Sequence, residues 1–433
     1  MVPNSFTALA NGFLFADGAR HSLRPRSFRS CLVLRADTHC NSHDRREFYR
    51  VCQLLGVETD ACLRENASGI RGMYLESSAA RSGDSILSVP LSSCLRDDEP
   101  PEWLSKAICD VDDSSSQWAT RLAACLLDAK LRSNDIGDEG RDRWLSMLPT
   151  NSWLRASLPI HWPPNVLSTA KCQALELAVD SAYFTRSYAV MDLTRGLKDE
   201  LIETSHYSEE DLTLLANDAL DVVQTRTCGV SVPSKDSPVR LLAPVFDFFN
   251  HGSKTFPGPG CPNAGFEVEE DCLVVRATKD IFESEEVLIS YGDSAETTWR
   301  CLLNYGYLPG YDDEDERNTV ELVVDGVRAS IGAGSVPFEL AVAAAKACAE
   351  EEGAVFNDDD NPLSAKAVYR IADRARAEAE DLLVDLKGIV ESLETDEHVE
   401  KHSRRLVQGF RESQSEVLAS WSSSLRAFGD TLE

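Results

Sequence analysis

Basic residues are the first thing this 433-residue chain is short of: 43 Lys plus Arg stand against 72 Asp plus Glu, giving a net charge of −29 at pH 7. A nucleic-acid surface needs clustered cations to displace counterions from phosphates, and none appear, so nucleic acid is not expected as a partner. Metal-ligand spacing is absent too. The 13 cysteines are spread singly, without a C-x-x-C pair or a Cys/His pattern; they read as reduced thiols rather than zinc ligands or disulfides, and no metal is expected. No apolar run approaches the ~20 residues a membrane helix needs, so no membrane association is expected. There is also no G-x-G-x-x-G after a strand, no P-loop and no G-x-S-x-G, which leaves oxidoreductase and hydrolase readings unsupported.

What is present lies mainly between residues 240 and 310. Leu241 to Val245 is an apolar run of strand length, and it delivers Asp247, Asn250 and His251, a D-x-x-N-H cluster, into a segment rich in Gly and Pro. An Asn-His pair at a strand end reads equally well as an Asx-turn. Glu286 to Ser290 is a second expected strand, ending directly in Tyr291-Gly292, so an aromatic hydroxyl stands beside a backbone with glycine's freedom. Such a tyrosine alone is most simply a packing residue. Tyr305-Gly306-Tyr307 follows. Three coupled motifs in this order are much less expected by chance than any one.

The order strand, Asp-x-x-Asn-His, strand, Tyr-Gly, short helix, Tyr-Gly-aromatic resembles the SET-domain methyltransferases, and among them the branch typified by Rubisco large-subunit lysine methyltransferase. Upstream, Gly69-Ile70-Arg71-Gly72 is similar to that family's opening glycine turn, and Ser85 to Pro90 to its strand leading to V-P. Trp144 to Pro149 with Leu158 to Trp162 resembles the signature of the branch's helical insertion, and Val223 to Cys228 its S-R-x-F helix end. The resemblance covers most of residues 45–430. Four features depart from it: Ser284-Glu285 stands where the family has Gly-Glu, so that turn is expected to be strained or reshaped; the Asn expected between the two tyrosine motifs is missing from Gly292 to Trp299; the spacing from Tyr291 to Tyr305 is slightly long; and the stretch from Gly72 to Pro90 is about one residue longer than the family pattern.

The resemblance implies an α+β fold: a SET β-core with a near-knot over residues 45–310, a helical insertion at about 100–225, and an all-α substrate-binding domain over 318–433. It implies S-adenosylmethionine as cofactor and N-methylation of lysine in a non-histone protein, with methylation of a protein histidine, or a silent SET-like scaffold, as the alternatives. By the same resemblance Tyr291 and Tyr305 are the catalytic residues, and Gly69, Ile70, Arg71, Gly72, Arg226, Asn250, His251 and Tyr291 hold the cofactor. Arg226, Asp247 and Tyr305 face the substrate. The partner is then a protein carrying the target lysine, positively charged around it given this chain's acidity, and a monomer is expected.

The ends differ from the middle in composition. Residues 1–36 hold five arginines (Arg20, Arg24, Arg26, Arg29, Arg35) and a single acid, Asp17, the pattern of an organelle transit peptide or of an ordinary disordered terminus. A plastid location is the expectation, through the family alone, with mitochondrion or cytoplasm and nucleus as alternatives. Towards the C-terminus, Leu382, Leu386, Ile389, Val390 and Leu393, and then Val399, Leu406, Phe410, Val417, Trp421 and Leu425, recur at helical spacing.

Overall fold

A computed structural model describes residues 42–66, 70–76, 79–107, 117–136, 138–201, 207–233, 235, 237–253, 260–292, 297–309, 318–332, 336–357, 361–384, 386, 388 and 398–433. The leader at 1–36 and Gly69 lie outside these, as do Ile389, Val390 and Leu393.

The chain begins with α1 (Ser42–Leu55) and a set of short strands: β1 (Glu58–Thr59), β2 (Ala61–Glu65), β3 (Arg71–Leu75), β4 (Ser85–Pro90) and β5 (Leu95–Arg96). Helices α2 (Glu102–Ala107), α3 (Trp118–Ile136), α4 (Glu139–Met147), α5 (Asn151–Ser157), α6 (Pro164–Leu167), α7 (Gln173–Leu201) and α8 (Glu209–Arg226) then interrupt the strands. The strands resume with β6 (Cys228–Val230), β7 (Val239–Leu242), β8 (Asn250–His251), β9 (Ala264–Glu269), β10 (Cys272–Ala277) and β11 (Leu288–Ile289), followed by α9 (Thr298–Tyr305). Beyond these stand a hairpin of β12 (Val320–Val324) and β13 (Val327–Ile331) and the helices α10 (Phe338–Glu351), α11 (Ala365–Leu383) and α12 (His398–Asp430). The C-terminal region is therefore helical apart from that hairpin, which an all-α expectation did not contain. No helix among the described residues is long and apolar enough to cross a membrane.

Among the described residues the strands are short and make several small sheets, antiparallel except for one pair. The order β1-β4-β10-β9 forms one sheet, β5-β7-β6 another, and β2-β3 a hairpin. The exception is β8 with β11, parallel, pairing Asn250 with Leu288 and His251 with Ile289. Parallel neighbours need a crossover, and here residues 252–287, with the β9-β10 hairpin inside them, supply it. This pairing brings the D-x-x-N-H segment beside the strand that ends at Tyr291.

Both sequence-expected strands are shorter than their apolar runs. The first ends at Leu242, because Pro244 has no N–H for a ladder. The second is reduced to Leu288–Ile289, with Glu286 held separately in a bridge to Tyr74. The expected helical insertion is present, with α3 and α7 as its long helices.

One apolar core joins α1, β2 to β4, α3, α4, α8 and the segment 241–249, with Trp144 and Phe48 wholly buried. A second joins β12 and β13 to α10, α11 and α12. In α11 the buried positions Ile371, Ala372, Ala375, Ala379 and Leu382 form a stripe of mostly small residues, which lets Val417, Leu418, Trp421 and Leu425 of α12 approach closely. A third, smaller cluster links the two: Trp162, Val166, Leu175 and Val179 of the insertion meet Leu302 of α9 and Val407 and Phe410 of α12.

Candidate active site

Tyr291 leaves β11 with its backbone N–H donating to Nδ1 of His251 at 3.1 Å, which places the proton of a neutral His251 ring on Nε2. Its hydroxyl donates to the carbonyl oxygen of Phe249 at 2.7 Å. The hydroxyl hydrogen is thus committed within the protein, and towards any further group the oxygen acts as an acceptor. Burial, opposed by the Arg226 charge, pushes the phenol further up from its usual value, so the group stays a neutral hydroxyl at any physiological pH.

Two aromatic rings pack beside the Tyr291 ring. The Tyr305 ring centroid lies 4.7 Å from that of Tyr291 at 45°, and the Tyr291 and His251 ring centroids lie 5.2 Å apart. Tyr307 follows Tyr305 at 6.3 Å. The placement of Tyr305 rests on Gly306, which closes α9 in the left-handed conformation at φ 70°. A Cβ there would stand 2.7 Å from the Ser157 Cβ, so only glycine allows α9 to end against α5.

Arg226 arrives on the last turn of α8, whose first turn carries Glu209, Glu210 and Asp211 behind the capping pair Ser208 and Asp211. Acids at the start and a base at the end suit the helix dipole. Arg226 Nη1 donates to the Asp247 carbonyl oxygen at 2.7 Å. Asp247 is buried at 4% exposure, and its Oδ1 accepts from the Trp144 indole N–H at 3.3 Å. Arg226 Nε and Asp247 Oδ2 are buried with no hydrogen-bond partner among the described residues. Burial pushes the Asp247 carboxyl up to about 6, against the opposing pull of Arg226 and of the Trp144 bond.

The backbone ahead of Asp247 is strained. Val245, fully buried, has φ 69° and ψ −40°, a conformation that a β-branched residue rarely adopts. The short 3-10 turn Phe246–Phe248 follows directly, so the strain is stored where the chain turns into the site.

Asn250 uses both amide hydrogens internally: Nδ2 donates to the Arg71 carbonyl oxygen at 2.9 Å and to Glu286 Oε1 at 2.8 Å. That leaves Oδ1 as the atom able to meet a ligand's donor. Gly72 makes this arrangement possible, since a Cβ at that position would lie 2.3 Å from Glu286 Oε1 and 2.8 Å from Asn250 Nδ2. The glycine's job in this structure is to admit two side chains. The Arg71 guanidinium lies 5.5 Å from the Phe248 ring centroid.

Of the sequence-predicted residues, Arg71, Gly72, Arg226, Asp247, Asn250, His251, Tyr291 and Tyr305 thus meet through contacts along one continuous region. Ile70 is 54% exposed at its edge, and Gly69 falls outside the described residues. Sequence reasoning missed Glu286, Trp144, Asn263 and the Phe249 carbonyl as parts of the site. Asn263, 1% exposed, ties the crossover to β11: Nδ2 donates to the Glu286 carbonyl oxygen at 2.8 Å and Oδ1 accepts from Leu288 N–H at 2.7 Å. A lone polar residue after Cys261-Pro262 gives no signal of that in the sequence. Trp144 does lie in a recognised motif, but nothing there points to Asp247, 103 residues away.

Residues 79–292 match the family profile of the SET domain. A 92-residue stretch is 39% identical to SET domain-containing protein 8 of Schizosaccharomyces pombe, covering 21% of this chain and 19% of that protein. The match spans about a fifth of that relative's length. Among solved structures, Rubisco LSMT bound to sinefungin and monomethyllysine is similar with a TM-score of 0.51 and 15% identity, over 90% of this chain and 93% of that one. Rubisco LSMT bound to AdoMet is similar with a TM-score of 0.50, 15% identity and the same two coverages. At such identity the likeness is one of fold.

Proposed function

Since residues 79–292 of this chain are a SET domain, we propose that it is an S-adenosylmethionine-dependent N-methyltransferase acting on a lysine of a non-histone protein. The observation that carries this reading is the Tyr291 hydroxyl, pinned to the Phe249 carbonyl and faced by the Tyr305 ring. The solved structures of similar fold, which hold AdoMet or sinefungin with monomethyllysine, support the same substrate and cofactor classes.

The residues present fit such a cofactor. S-adenosylmethionine supplies a methyl group on a positively charged sulfur, beside an amino-acid tail and an adenosine. Asn250 Oδ1 is oriented to accept from an ammonium, and the orphaned Arg226 Nε is a donor for a carboxylate. His251, fixed by Tyr291 N–H, holds its segment parallel to β11.

For transfer, the lysine nitrogen must arrive neutral, with its lone pair in line with the methyl carbon. Tyr291 contributes by accepting: with its own hydrogen on Phe249, its oxygen can take an N–H of the amine and fix the direction of the lone pair. Tyr305, Tyr307 and His251 exclude water around that amine, and an apolar surround lowers the amine's proton affinity. The buried Asp247 Oδ2, without a hydrogen-bond partner among the described residues, is left as an acceptor for a donor on the substrate side.

Tyr291→Phe tests the reading. Methyl transfer from labelled S-adenosylmethionine into proteins of a cell extract should fall roughly a hundredfold, the scale of losing one oriented group in a dry site, while cofactor binding persists. Equal labelling by the variant would remove Tyr291 from the chemistry. An organelle location is part of the proposal and rests on the Arg-rich leader, with plastid preferred to mitochondrion through the family resemblance alone; fusion of residues 1–36 to a fluorescent reporter tests it.

A further inference from the structure

Glu286 stands at the centre of the site with only neutral partners. Its Oε1 accepts from Asn250, and it is also hydrogen-bonded by the Tyr74 side chain. Among the described residues no Lys, Arg or His pairs with it. The guanidiniums on the neighbouring strands are directed elsewhere: Arg64 of β2 lies over the Tyr74 ring at 5.8 Å, and Arg71 of β3 over Phe248 at 5.5 Å. The chain has nevertheless made room for this carboxylate, since any residue but glycine at 72 would collide with it. Backbone contacts hold it on both sides, through the bridge to Tyr74 and through Asn263 on its carbonyl.

A half-buried carboxylate with neutral partners costs the empty protein stability, and it is repaid only when a cation arrives. We propose that Glu286 is a positioning residue for the methyl donor: its carboxylate locks the Asn250 amide with Oδ1 left for the ligand, and its uncompensated charge favours a cationic ligand over a neutral one. This rests on the S-adenosylmethionine reading. It assigns to Glu286 a preference by net charge, because S-adenosylmethionine carries one positive charge overall and S-adenosylhomocysteine, the product it becomes, carries none. The anion would hold the donor and let the spent product go.

Glu286→Gln separates charge from shape, since the amide oxygen can still accept from Asn250. Calorimetric titration of the full chain and of this variant with S-adenosylmethionine and with S-adenosylhomocysteine, beside thermal unfolding without ligand, is the test. In the variant, affinity for S-adenosylmethionine should fall about tenfold or more, the scale of losing a charge-assisted interaction. Affinity for S-adenosylhomocysteine should fall less, and the ligand-free unfolding temperature should hold or rise. A merely structural glutamate would lower stability and weaken both ligands alike, and that result overturns the inference, as does unchanged affinity. Gly72→Ala, which displaces the carboxylate without removing it, should weaken S-adenosylmethionine as well. Should the unaltered chain bind neither ligand, the methyl-donor reading itself fails and this one with it.

Discussion

Asp247 shows at the scale of one residue how the site trades stability for chemistry. Burial lifts its carboxyl from the ordinary 3.8 to about 6 in the folded chain. Between those values the folded state holds a proton that the unfolded state has released, so stability is fully present below about pH 3.8 and is lost as pH rises through about 6. The loss amounts to roughly 3 kcal/mol, since each tenfold gain in proton affinity on folding is worth about 1.4 kcal/mol. Denaturant unfolding between pH 4 and 7 should show this decline, and Asp247→Asn should flatten it; an unchanged slope would mean the carboxyl is not held neutral by burial. That Asp247 belonged to a site could be read from D-x-x-N-H, but its burial could not, because the Trp144 that covers it comes from α4. Ser284 is the opposite case. A serine where the family keeps glycine pointed to a strained turn, and Ser284 does sit at φ 65°.

At the scale of the element, the site depends on where helices stop. α8 ends at Arg226 and so delivers a guanidinium to the Asp247 carbonyl, while α9 ends at Gly306 and so sets Tyr305 against Tyr291. The end of α8 was legible through the helix-end pattern of Val223 to Cys228, whereas Gly306 was read only as part of the Tyr305-Gly306-Tyr307 motif. The strands were less so. β8 and β11 have two residues each, and their pairing is set by the crossover and by Asn263 rather than by any alternation of apolar residues. Gly306→Ala should destabilise the chain by roughly 2–4 kcal/mol, since it adds both a left-handed alanine and a collision with Ser157. The shift of the denaturant midpoint measures it, and a change below about 0.5 kcal/mol would contradict this reading of the helix end.

Across the whole molecule, the C-terminal helices are fastened to the insertion by charge as well as by apolar contact. Arg411 of α12, 1% exposed, donates to the carbonyl oxygens of Leu382 at 2.7 Å and Val384 at 2.6 Å at the end of α11, and to that of Thr169 at 3.4 Å. Lys171 reaches the same helix end at Asp381, 2.7 Å from Oδ2. Arg411→Met keeps the bulk but orphans those carbonyls, and should cost roughly 2–4 kcal/mol by denaturant titration; a stability loss within error would show that the Arg411 hydrogen bonds do not help to fasten this helix end. The helical spacing of Val417, Trp421 and Leu425 announced α12, but no pattern in the sequence announced which helix end Arg411 would cap. That the region around Asn250, His251 and Tyr291 is a cofactor site is tested most directly by calorimetric titration of the full chain with S-adenosylmethionine beside Asn250→Ala. Saturable binding at one site per chain, abolished by the substitution, is the expected result; absence of binding by the unaltered chain at millimolar cofactor, or equal binding by both, would contradict it.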